Sequence, residues 1–270
     1  MNVALFLKTL RDHRVFIIGG CFLVVLFVVV FLFAIDSLPM EQTEVWMNVP
    51  WIKSLISSLM GSEMTGAFET SGMATFVFTH PVVLAVVIAL VFSIGSASLV
   101  GEIDRGTIDL LASLPISRSS IYVSVSTALI ACGPMLCVSL WGGVLIGRWL
   151  TGQSDIRMDD LALVAAQFFF VYVFLCGMAL GVSAMCSRRQ VALAICFGVV
   201  LYAFTVNVLS AFWPALEIVS YSSFFRYYGP LKIVEAHAVQ WGSVLVLTVA
   251  GAVLWTAGLL VFRSRDFPST

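Results

Sequence analysis

Glu102, Asp104, Arg105, Asp109 and Arg118 crowd into the short segment GEIDRGTIDLLASLPISR (101–118), although only 11% of the chain is charged. Both signs of charge at this spacing suit ion pairing with a soluble partner. Catalysis asks for more, a nucleophile held by a base or a positioned acid–base pair, and the segment offers neither. Thr107 is placed to cap a short helix, Ile108, Leu111 and Ala112 give an apolar stripe at i, i+3 and i+4, and Pro115 stops it. Arg118 then leads into the next apolar run, so the segment reads as a docking element that passes force into a membrane. A second chemical candidate is the pair Met60 and Met64, whose thioethers suit Cu(I) and share a helix face. Trp51, Leu55, Leu59 and Phe68 surround them, and an amphipathic helix resting on the membrane or capping a dimer explains these methionines without metal. No metal or cofactor is expected in this chain.

Other reaction chemistry is missing. The six cysteines (Cys21, Cys132, Cys137, Cys176, Cys186 and Cys196) lie within or beside apolar runs with no CxxC pair, so they read as small buried hydrophobes. His13, His80 and His237 are scattered. The nearest approach to a phosphate loop, Gly142 to Arg148, has Arg where Lys is required and Trp149 where Ser or Thr is required. No GxSxG or HExxH occurs, and the chain is not expected to be an enzyme.

The elements that position the charged segment follow from composition. A chain of 270 residues that is 60% hydrophobic, with a mean hydropathy of +1.05, belongs in a bilayer. Crossing a hydrocarbon layer of about 30 Å takes roughly 20 helical residues. Six such spans are predicted: Val15–Ile35, Pro81–Val100, Ser119–Ile146, Leu161–Met185, Val191–Phe212 and Gly242–Phe262. The first is too long for a signal-peptide core and lacks a cleavage site, so it is read as a retained span. The expected fold is an all-α integral membrane protein of six transmembrane helices, forming one permease domain over residues 1–270. An interfacial amphipathic helix at Asn2–Arg14, with Leu5, Phe6, Thr9 and Leu10 on one face, precedes the spans.

With both termini cytoplasmic, nine of the fourteen Lys and Arg lie inside: Lys8, Arg11, Arg14, Arg105, Arg118, Arg188, Arg189, Arg263 and Arg265. Ten of the fifteen acidic residues then lie outside, and this asymmetry sets the orientation. Arg188–Arg189 reads as a topology signal. The span interiors contain no Asp, Glu, Lys or Arg, which disfavours an ion-coupled carrier and favours an apolar or amphipathic substrate. Gly177 and Gly181 form a GxxxG pair for close helix approach, read as an intrachain contact. Pro134 and Gly142–Gly143 are expected to soften the third span. Between the last two spans, Trp213–Trp241 is rich in aromatics and broken by prolines, which predicts short outer helices dipping into the outer leaflet. Phe224, Phe225, Arg226 and Tyr228 are its candidates for contact with substrate or an extracytoplasmic partner.

Glu102, then Gly106-Thr107, Leu110-Leu111, Pro115 and Arg118, placed between the second and third of six spans, resembles the first cytoplasmic loop of the permease subunits of type-2 ATP-binding-cassette (ABC-2) transporters. The ending Phe262-Arg263-Ser264-Arg265-Asp266 is similar to that family's Phe-x-Arg-Arg-Asp, with Ser264 and Arg265 in the central pair. The resemblance implies a cytoplasmic ABC ATPase docking on Ile103–Pro115, with ATP and Mg on that partner. It also implies a second permease copy, most simply a homodimer, in a bacterial or archaeal inner or plasma membrane. An extracytoplasmic partner protein is compatible with it, and no nucleic acid is expected. Two other classes stay open: a non-transport scaffold or sensor, for which the chain lacks a large outer domain, and a self-contained secondary carrier.

Overall fold

Helix satisfies its own backbone hydrogen bonds in hydrocarbon, and the residues that the computed structural model describes, 1–37, 49–61, 70–106 and 116–265, are helical with no strand among them. The helices are α1 (Val3–Ser37), α2 (Pro50–Met60), α3 (Thr70–Phe76), α4 (Pro81–Ser98), α5 (Val100–Asp104), α6 (Arg118–Thr151), α7 (Met158–Met185), α8 (Arg189–Ser210), α9 (Glu217–Ser220), α10 (Pro230–Ala236) and α11 (Trp241–Ser264). Single 3-10 turns at Val77–Thr79, Pro214–Leu216 and Phe224–Tyr227 join some of them. Among the described residues, α1, the stretch Gly72–Ser98 that includes α4, α6, α7, α8 and α11 are long and apolar enough to cross a membrane. These match the six predicted spans, and an even number brings both chain ends to one face of the bundle, here the terminal face.

The N-terminal stretch differs from its predicted form. Asn2–Arg14 is not set apart as an interfacial helix but forms the first turns of α1, which continues unbroken for 35 residues. At about 1.5 Å per residue it is roughly 52 Å long, well beyond a 30 Å hydrocarbon layer. No proline interrupts it, and Leu5 and Thr9 are buried on the face predicted to lie on the membrane. The Asn2 N–H donates to Ser124 Oγ of α6 at 2.7 Å. Tertiary packing has taken up the apolar face that lipid was expected to cover.

α7 is the axis of the bundle, touching α4, α6, α8, α10 and α11. Its apolar window is 67% buried, against 22% for α1 and for α11, which turn broad faces outward. Gly177 and Gly181 of α7 meet Gly251, Leu254 and Gly258 of α11. A Cβ at Gly181 would stand 2.6 Å from the Leu254 carbonyl oxygen, and one at Gly258 would stand 2.6 Å from the Gly181 Cα. Two backbones pack there with nothing between them. A second small-residue seam, Gly143 and Gly147 of α6, accepts Val28 and Leu32 of α1. Its GxxxG spacing is plain in the sequence, yet Gly143 was expected only to soften the third span. α6 itself runs as one helix through Pro134. Tyr122 donates to the Trp255 carbonyl at 3.1 Å and Trp255 Nε1 donates to Ser126 Oγ at 2.8 Å, so α6 and α11 are cross-tied in both directions.

Candidate functional site

At the terminal face, α4 ends at Ser98 and Leu99 turns the chain (φ −118°, ψ −80°) into the single-turn helix α5. Gly106, at φ +69°, closes that turn, a left-handed conformation that glycine adopts without strain. The helix start expected at Gly106–Thr107 lies outside the described residues from Thr107 on. Glu102, whose side chain is only 15% exposed, faces Lys8 Nζ at 3.5 Å and Arg105 Nη2 at 3.3 Å. Lys8 also pairs with Asp12 at 3.6 Å. The Glu102 carboxylate therefore holds α5 against the first turns of α1. Ile103 packs on the apolar core.

Arg189, the first residue of α8, secures the other side. Its Nε donates to Ser96 Oγ at 3.2 Å, and its Nη2 reaches the Ser93 hydroxyl at 3.1 Å and the Ser93 carbonyl at 3.4 Å. Its backbone N–H donates to Asp104 Oδ2 at 3.3 Å, so α5 supplies a carboxylate to the N-terminus of α8. Arg188, beside it, is exposed. The pair was predicted to be a topology signal; the structure separates an exposed Arg188 from an Arg189 that ties three helices. Ser93 and Ser96, three apart at the end of an otherwise apolar span, were the available clue.

Beyond residue 115 the chain is secured again. Ser117 caps α6 by accepting from the Ser120 N–H at 3.2 Å. Arg118 Nη1 donates to the carbonyl of Arg265, just past α11. The Arg265 guanidinium donates to the carbonyls of Ala184 (2.9 Å) and Cys186 (2.6 Å) and to Ser187 Oγ (2.6 Å), at the end of α7. Burial raises the Cys186 thiol pKa above its ordinary value, and Arg265 partly offsets this. Of the residues predicted for coupling, Glu102, Ile103, Gly106 and Arg118 thus sit in or beside two braces, one before and one after residues 107–115. Thr107, Leu110, Leu111 and Pro115 lie outside the described residues.

The far face corrects one expectation. Phe224, Phe225 and Tyr228, predicted as contacts for substrate or partner, are buried. Phe224 stacks on Phe225 with ring centroids 4.2 Å apart and on Phe174 at 5.2 Å, while Tyr228 packs on Phe168 at 5.6 Å. Aromatic density drives these rings inward against α7. Arg226 is less buried than the other three, and it borders the far-face cavity together with Phe225. Gln167, midway in a span, is explained by the same segment: its Oε1 accepts from the Gln240 N–H at 2.9 Å and its Nε2 approaches the Tyr227 carbonyl at 3.4 Å. Buried Asp160 faces His237 Nδ1 at 2.8 Å and Arg157 Nε at 3.3 Å. Met60 is fully buried at the end of α2, and Met64 lies outside the described residues. Among the described residues no three of His, Cys, Asp and Glu gather to hold a metal.

Two arginine-centred braces stand at one face of an apolar bundle, the first before residue 107 in the chain and the second after residue 115. A family model described as ABC-2 family transporter protein matches residues 6–267, nearly the whole chain. No curated protein matches it.

Proposed function

The chain belongs to the ABC-2 family of transporter proteins, and we propose that it is the membrane half of an exporter driven by a separate cytoplasmic ABC ATPase that docks on residues 102–118. As a multi-pass permease it supplies the membrane component; ATP and Mg belong to the partner. The terminal face is cytoplasmic in this reading, because it gathers Lys8, Arg105, Arg118, Arg189 and Arg265. A second copy of the chain completes the transporter. The charge-free span interiors favour an apolar or amphipathic substrate, or transmission of motion to a partner outside the membrane.

One observation supports the docking assignment above the rest: the chain is braced immediately before and after residues 107–115. A push on that segment would reach α8 and α4 through Asp104 and Arg189. It would reach α11 and α7 through Arg118 and Arg265. Slack connections would dissipate the same push. The test is reconstitution with the ATPase that co-purifies with the chain. Leu111→Asp should abolish docking, and Gly106→Pro, which cannot adopt φ +69°, should leave ATP hydrolysis running without transport. Wild-type coupling in both variants, or no co-purifying ATPase, would overturn the assignment.

A further inference from the structure

We propose that the far face holds a binding site for a phosphate-bearing lipid headgroup, in the cavity between α2, the end of α8 and the segment from α9 to α10. The cavity measures about 680 Å³, within the range of roughly 300–1,000 Å³ usual for sites that enclose small ligands. Lys53, Arg226 and Lys232 line it, against a single carboxylate among the described residues, Glu217. Lys53 and Lys232 have no ion pair among the described residues. Ser54 and Ser57, on the same face of α2 as Lys53, add hydroxyl donors.

The walls are held in place. Asn207 Nδ2 donates to the Ser58 carbonyl at 3.0 Å while Ser58 Oγ donates to the Asn207 carbonyl at 2.8 Å, which pins α2 to α8. Gly61, in the left-handed region at φ +78°, lies so close to Gly229 that a Cβ on it would meet the Gly229 Cα at 2.5 Å. That approach sets the wall bearing Lys53 against the wall bearing Lys232. The Arg226 guanidinium is oriented by Ser220 Oγ at 2.6 Å, by Glu217 at 3.5 Å and by the Tyr221 ring beneath it at 3.9 Å. A guanidinium and two ammonium groups with excess positive charge suit phosphate, the first through a planar fork and the others as point charges.

The rim favours a lipid over a soluble ester. Trp51, Trp213 and Ile218 are exposed, each within two residues in the chain of a residue that lines the cavity (Lys53, Pro214 and Glu217), with Ile218 82% exposed. Indole rings at that position match a membrane interface, where a headgroup enters the polar cavity and its acyl chains stay on the apolar face of α8. The site needs no ATPase and lies at the face opposite the two braces, so it stands or falls apart from the docking assignment.

The full-length protein, reconstituted in phosphatidylcholine nanodiscs with phosphatidylglycerol as the sole anionic lipid, allows a direct test. Lipid retained after release from the disc is counted by native mass spectrometry. The double variant Lys53→Gln/Lys232→Gln should retain about tenfold less phosphatidylglycerol, with an unchanged melting temperature, whereas Arg188→Gln on the opposite face should retain as much as the parent. Equal retention in the double variant and the parent would overturn the site. Saturable binding of glycerol 3-phosphate to delipidated protein, lost in the double variant without any enrichment of phosphatidylglycerol in the parent, would overturn the lipid assignment in favour of a soluble phosphate ester.

Discussion

At the terminal face Arg189 and Arg265 are anchored to hydroxyls and carbonyls of neighbouring helices, whereas at the α2–α10 corner of the far face Lys53 and Lys232 border a cavity without ion pairs among the described residues. A guanidinium carried on one helix and donating to a neighbour fixes the spacing of the two, so a displacement of one is felt by the other. An ammonium on an open cavity fixes nothing in the protein and remains available to an anion. In the proposed reading the same charge serves transmission at one end and binding at the other. Partners decide which, and composition alone cannot separate the two.

Transmission between the faces requires a stiff rod, and α7 packed on α11 is the candidate. Gly181→Leu drives a side chain into the Leu254 backbone, where no rotamer offers relief. Overpacking commonly costs about 1–3 kcal/mol, and a clash with main chain should exceed that, so folded protein should be lost from membranes. Gly198→Leu, with nothing within 4 Å of the added Cβ, should accumulate normally. Parental yield and melting temperature for Gly181→Leu would remove the rod, and with it the mechanical link between the faces.

The next two substitutions compare closed networks across the faces. Asp160 is the far face's buried carboxylate, held by His237 and Arg157. Asp160→Ala removes the charged acceptor shared by His237 and Arg157; water replaces it on these half-exposed partners, so stability should fall by about 1–2 kcal/mol, with faster hydrogen exchange in α10. Arg189→Ala removes the tie from α8 to Ser93, Ser96 and, indirectly, α5; the loss should be similar or somewhat smaller, with exchange rising at the ends of α4 and α8. Lys53→Ala should leave both readouts at parental values. If Lys53→Ala destabilised the protein as much as Arg189→Ala does, the division between transmitting and binding cations would collapse.

Much of this architecture is legible in the residues. Twenty-residue apolar runs place the spans because the bilayer imposes a length, and Gly177 with Gly181 announces a close backbone approach because few other reasons put two glycines four apart in a span. The sequence is a poorer guide wherever the answer depends on which surface covers a face. Asn2–Arg14 has the pattern of a surface helix, and only packing on α6 reveals it as the start of α1. Phe224 and Phe225 look like an exposed aromatic patch until α7 is set against them. Arg189 shares with Arg188 the residue type expected of a topology signal; Ser93 and Ser96, almost a hundred residues away in the chain, distinguish it. Thr107, Leu110, Leu111 and Pro115 rest on the motif alone, since they lie outside the described residues.

The smallest expected effect probes the Arg265 brace through the thiol beside it. Cys186 lies just past α7, its pKa raised by burial and pulled back by the Arg265 charge. With Cys21 and Cys137 replaced by Ala, and the other three cysteines buried, maleimide should report chiefly on Cys186. Because the thiolate is the reacting form, modification at neutral pH should be slower than for a free thiol and should rise as pH passes the elevated pKa. Arg265→Gln has two separable consequences. Removing the cation takes away the stabilisation of the thiolate, so the midpoint of the rate profile moves to higher pH. Releasing the carbonyls of Ala184 and Cys186 loosens the end of α7, so the plateau at high pH rises a few-fold through better access. A shifted midpoint with an unchanged plateau would mean that Arg265 acts on Cys186 only as a charge, and the brace would then be no tighter than the open cations of the far face.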